Sequence, residues 1–371
     1  MAMRSPRLAR LVLGAALLAV VGCSGDRDPG ATEAPSQVPV TSPAGQPATS
    51  RSPWPVAAAR VDRIAGRLSG HASSLPPAFP PDDAALPDLL TDLPGRVRMA
   101  YHPRESFDDG GGWHTERVFF LGVDGAWRAL ELADLGLPGW SHPGVDTYGA
   151  GALSPDGSTW AAPSRAGIVL VDLSAGRSRI VPVPGDHTRY LAWHPGSRSV
   201  DVMRLHGAST QRTWSVRTGS LRVTRAPYLV PIDGFADDGS VVTFTRRGGH
   251  TLRTVHRGRS QTSDVVAMPH RHARRGGAVG HDRILFGVNR ELLVVDGRSG
   301  APMARLRLGP GDAAGWPRGW WGPDTAWFYE AGRGLVTWNV TNGRTRVLTR
   351  VRPPVDDTLY WSTSVAVDLM R

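Results

Sequence analysis

The residues in this chain that could do chemistry by type and spacing are densest at His270, Arg271, His272, Arg274 and Arg275, with His281 close behind. A His-x-His pair puts two imidazoles on one face of a strand, and a third histidine could complete a zinc site. The interleaved arginines repel a cation. They suit an anion or phosphate contact instead. Gly276-Gly277 fits a third reading, a solvated loop between sheet elements. The expectation is a solvated inter-blade loop, with His270, Arg271, His272, Arg274 and Arg275 kept as a candidate anion-binding set and with no metal and no cofactor. Nothing else forms a reactive constellation. There is no G-x-S-x-G, no phosphate-binding loop and no H-E-x-x-H. Glutamate occurs only at positions 33, 105, 116, 131, 291 and 330. A glycosidase needs a pair of carboxylates; aspartates could supply one, but their spacing does not display it.

The single cysteine, Cys23, has a different use. Arg4, Arg7 and Arg10 form a positive leader, and Leu11 to Val21 is an apolar run shorter than the ~20 residues that span a bilayer. The run ends in Val20-Val21-Gly22-Cys23, which resembles a bacterial lipobox. That resemblance implies that Cys23 is lipidated and becomes the mature N-terminus, and that the protein sits on the extracytoplasmic face of the cell membrane. One cysteine allows no intrachain disulfide, so the fold must stand on its core. Loss of residues 1–22 removes three arginines and no acid, which takes the formal charge from +10 to +7. All 43 basic residues are arginines, spread along the chain. This spread argues against a dedicated nucleic-acid stripe and suits an anionic envelope surface.

Positioning elements come next. Ser24 to Pro55 is rich in Pro, Ser, Thr, Ala and Gly and reads as a disordered tether over residues 23–57. Val56, Val61, Ile64 and Leu68 are spaced for one face of a short helix. Ser73 to Pro94 is proline-rich and reads as an irregular strap, so residues 58–96 form a helix-and-strap segment. From Val97 the chain turns to short apolar runs, among them Val118-Phe119-Phe120-Leu121 and Ile168-Val169-Leu170-Val171. The loop between the Val97 to Tyr101 run and the Val118 run, Ser106 to Gly112, is glycine-rich and partly acidic. With 44 Gly and 31 Pro, many short strands and turns are favoured over long helices.

A repeat emerges from the turns. Turn signals begin at Ser154, His194, Ala236, Gly280 and Gly322, separated by 40, 42, 44 and 42 residues, and each precedes an apolar run. About twenty residues later a second strand ends in a small turn, as in Asp172-Leu173-Ser174-Ala175-Gly176, Asp296-Gly297-Arg298-Ser299-Gly300 and Asn339-Val340-Thr341-Asn342-Gly343. Residues 232–276 show no clear second turn; Arg253 to Gln261 there is polar and basic. A period near 42 with about four strands per unit is the pattern of a β-propeller blade.

The turn Ser154-Pro155-Asp156-Gly157 and the strand Val169-Leu170-Val171-Asp172-Leu173 resemble bacterial WD-repeat-like and TolB-like propellers over residues 97–371. The WD dipeptide is absent. The turn also nearly matches the Asp-box of sialidases, itself a structural turn. Trp316, Trp320, Trp321 and Trp327 cluster between two units; they could stack on a sugar or a base, but such residues more often plug the core between blades. Trp214 and Trp338 hold equivalent places in their units, which favours the core.

The fold expected is all-β, a propeller of six four-stranded blades, or seven if the strap supplies strands. The C-terminal run Tyr360 to Met370 should complete the first blade, so that cutting at Asp357 opens the ring. The function expected is a monomeric, non-catalytic scaffold that binds an envelope protein or polymer, with no nucleic acid. The alternative is a hydrolase of glycans or polyanions at the central mouth.

Overall fold

The computed structural model describes residues 59–63, 74–79, 86–102, 106–107, 113–114, 116–137, 151–207, 210–229, 234–248, 250–267, 278–288, 291–308, 316–330, 333–351 and 362–370. The chain divides into residues 1–52 and 53–371, and every described residue lies in the second unit. No described helix is long and apolar enough to cross a membrane.

Nearly all regular structure is strand. Two strands lie early, β1 (Arg60–Arg63) and β2 (Ala78–Phe79). β3 (Val97–His102), β4 (Ser106–Phe107), β5 (Trp113–His114), β6 (Arg117–Gly122) and β7 (Trp127–Glu131) follow. The next meander is β8 (Ala152–Leu153), β9 (Thr159–Pro163), β10 (Gly167–Asp172) and β11 (Arg177–Pro182). Then come β12 (His187–Trp193), β13 (Ser199–His206), β14 (Thr210–Arg217) and β15 (Val223–Arg225). The fourth meander is β16 (Gly234–Phe235), β17 (Val241–Arg247), β18 (His250–Arg257) and β19 (Ser260–Val266). The fifth is β20 (Ala278–Gly280), β21 (Arg283–Val288), β22 (Glu291–Asp296) and β23 (Pro302–Arg307). The sixth is β24 (Trp316–Gly322), β25 (Thr325–Glu330), β26 (Gly334–Asn339) and β27 (Thr345–Val351). A last strand, β28 (Ser362–Val365), pairs antiparallel with β3, giving the order β28-β3-β6-β7 for the first blade.

The described strands thus form six four-stranded meanders. The fourth and fifth share one nine-stranded sheet through a single parallel pairing of their inner strands, Gly234 with Val279. Among the described residues the strap makes no seventh blade: β1 and β2 add in parallel to the outer strands β23 and β27.

Apolar clusters close the ring. Blades one and two meet around Val97, Phe120, Trp160 and Val171. Blades two and three meet around Ile168, Val181, Val200 and Val202. Val266, Ile284 and Phe286 join four to five. Leu292, Val294, Phe328 and Trp338 join five to six. Phe79, Met99, Phe119, Trp327 and Leu335 join six to one. Between three and four the buried apolar set shrinks to Met203 and Val241. The ring is a β-propeller, closed by pairing a C-terminal strand with the first blade.

Three of the repeated turns share one chemistry. Asp172 Oδ1 accepts from the Ser174 and Ala175 amides, Asp296 Oδ1 from Arg298 and Ser299, and Asn339 Oδ1 from Thr341 and Asn342. Each is an Asx turn closed by a glycine at positive φ: Gly176, Gly300 and Gly343. The fourth blade turns at the corresponding place through the shorter Gly258-Arg259, with Gly258 at φ +60°. It lacks the Asx residue, which is why the sequence hides it.

The helix expected over residues 56–68 is corrected. Its described part, Arg60–Arg63, is a strand along β23, and Val61 is exposed. The open edge of β23 satisfies the backbone better than a short helix can. Asp62 fixes the strand by accepting from Trp338 Nε1 at 2.9 Å, and Arg60 donates to Thr341 O. Downstream, the Leu89 amide bonds Ala129 O and the Ala129 amide bonds Pro87 O. The strap therefore braces the outer edges of blades five, six and one.

Candidate functional site

The polar seam between the third and fourth blades opens into a cleft of about 1280 Å³. Strand alternation explains its lining. On β13, Val200, Val202 and Arg204 face the second blade, while Ser199, Asp201 and Met203 face the fourth. On β14, Gln211, Thr213, Ser215 and Arg217 line the cleft, while Trp214 and Val216 pack the other way. The opposite wall is Asp238, Ser240, Val241 and His256 to Arg259.

Behind the lining residues His194 and Tyr228, Asp201 is fully buried. Tyr228 Oη donates to its Oδ2 at 2.5 Å, and His194 Nε2 lies 3.0 Å from Oδ1. Burial, then the Asp201 charge and hydrogen bond, push the Tyr228 phenol well above its usual range. The Tyr228 and His256 rings lie 5.0 Å apart. His256 Nε2 is 3.1 Å from Thr243 Oγ1, while among the described residues its buried Nδ1 has no hydrogen-bond partner. Burial lowers the His256 pKa and favours the neutral ring.

Six arginines line the cleft: Arg212, Arg217, Arg222, Arg225, Arg257 and Arg259. Among the described residues only Arg257 of these pairs with a carboxylate, Asp238 at 2.8 Å. Hydrogen bonds from the Ser240 side chain and amide, then Arg257, hold the Asp238 carboxyl at about 2.

The sequence pointed elsewhere. His270, Arg271, His272, Arg274 and Arg275 lie outside the described residues, as do Val20, Val21, Gly22 and Cys23. His281 is described: it adopts φ +52° and its Nδ1 lies 3.1 Å from Asp237. Among the described residues no group of three or more His, Cys, Asp or Glu could hold a metal ion. The Asp156 turn is structural. Burial raises its pKa, but hydrogen bonds from Ser154, Ser158 and Ser197 outweigh that and lower it overall. Trp320 and Trp327 are buried between blades, and Trp338 is fully buried. Sequence reasoning misses Asp201 because it sits inside the apolar run Val200 to Met203; a charge on a strand buried on both faces is the available signal.

No family model matches this sequence, and neither does any curated protein. Solved structures do. TolB from Acinetobacter baumannii aligns at 16% identity and a TM-score of 0.43, covering 67% of this chain and 62% of that one. The β-propeller domain of the Trilobed protease from Pyrococcus furiosus aligns at 15% identity and 0.43, covering 69% and 83%. Pyrococcus horikoshii acylaminoacyl peptidase aligns at 14% and 0.40, covering 69% and 45%. These are likenesses of fold.

Proposed function

We propose that this protein is a non-catalytic binding scaffold of the cell envelope, anchored by a lipid on Cys23, acting as a monomer and taking its ligand in the cleft between the third and fourth blades. The cleft carries this reading: it is the seam where apolar packing gives way to polar side chains. Asp201, a carboxylate buried behind the lining, accepts from Tyr228 Oη, and His194 Nε2 lies 3.0 Å from its other oxygen. The described walls add one further carboxylate, Asp238, itself paired with Arg257. A scaffold fits that arrangement better than a hydrolase with two working acids. The leader and lipobox-like residues support the address. The test is affinity capture from envelope extracts by the full protein and by Ser215→Trp, which projects an indole from the cleft wall into the ligand's path. Capture that survives Ser215→Trp unchanged overturns the reading.

A further inference from the structure

We infer that the cleft takes a linear polyanion, a glycan or polyol chain bearing phosphate or sulfate groups. This rests on the cleft reading above and names its ligand class. Five of the six lining arginines have no carboxylate partner among the described residues, so the walls hold uncompensated positive charge. His256 adds an independent sign: it is buried, lines the cleft, and among the described residues its Nδ1 has no hydrogen-bond partner. A buried ring nitrogen without a partner is a place for a ligand hydroxyl, which can donate or accept. Between the arginines stand neutral hydrogen-bonding groups, Gln211, Thr213, Ser215 and Thr224, which suit hydroxyls too. Leu229 is the one large exposed apolar side chain in the described lining, short of the apolar anchor pockets a protein partner would want, and single-stranded nucleic acid would want several stacking rings. The volume exceeds the ~300–1,000 Å³ of ordinary small-ligand sites, as a chain of several units requires.

The experiment titrates the full protein with polyphosphate, dextran sulfate, uncharged dextran and polyglutamate, at several salt concentrations. Arg217→Gln/Arg222→Gln/Arg225→Gln is the variant, since all three residues are exposed. Expected is binding of one or both of the sulfate and phosphate polymers, weakening with salt, and a loss of about tenfold in the triple variant. Which polymer binds separates the two sources. Unchanged affinity in the triple variant overturns the inference, as does equal binding of uncharged dextran. Polyglutamate binding as tightly overturns it in favour of an acidic polypeptide. If neither polyanion binds while Ser215→Trp still abolishes envelope capture, the ligand class fails and the cleft reading stands.

Discussion

Replacing Arg204 by methionine should cost the propeller about 2–4 kcal/mol. The residue is fully buried, and among the described residues no carboxylate pairs with it. Its guanidinium donates to Ser164 O at 3.1 Å, Gly167 O at 3.2 Å, Thr188 Oγ1 at 3.0 Å and Arg165 O at 2.9 Å, and also to Gly185 O. Burial lowers its pKa. Three of those acceptors keep other links: Ser164 O accepts the Gly167 amide, Gly167 O accepts the Ser164 amide and Thr188 Oγ1, and Thr188 keeps that donation. Arg165 O and Gly185 O lose the guanidinium donor. Arg165 is exposed and Gly185 half-buried, so those carbonyls turn to water; the cost lies in the charge-assisted bonds to buried Gly167 O and Thr188 Oγ1, about 1.5–3 kcal/mol each, and release of the buried charge offsets part of the sum. Urea unfolding at constant m-value reads the change. Arg204→Lys, with three donors, should lose less. A cost below about 1 kcal/mol for Arg204→Met would refute the accounting.

Ending the chain at Asp357 removes β28 and with it the Leu153 amide bond to Ser364 Oγ and the burial of Val365, Ala366 and Met370; circular dichroism should show loss of cooperative unfolding, and a native melting curve would contradict ring closure. Asp62→Ala strips Trp338 Nε1 of its acceptor and Arg60 of its carboxylate partner and should lower stability by about 1–3 kcal/mol in the same urea assay. His256 has a depressed pKa when folded, so the unfolded chain binds the extra proton: stability is full above about 6.5 and falls as pH drops toward the folded value. His256→Gln should flatten that slope, and an unaltered slope would count against it. A Cys23→Ala variant should leave the membrane fraction; retention there would mean another anchor.

Turns are legible in the sequence because their chemistry is local: Asp172, Asp296 and Asn339 each bond amides two and three residues ahead. Ring closure is legible because the first blade lacks an inner strand and the tail offers one. The cleft is not, since it depends on which strand faces meet across a seam, and Arg217 and Arg257 are far apart in sequence. Nor is β1, whose fate is set by the free edge of β23 rather than by its own residues.

The strap gives the ring two unlike arcs. Blades five, six and one wear an added backbone segment on their rims, whereas among the described residues β15 and β19, beside the cleft, wear none. Thermal breathing should therefore concentrate at the third and fourth blades, so the part of the wheel best able to widen around a long guest is the part that carries the arginines.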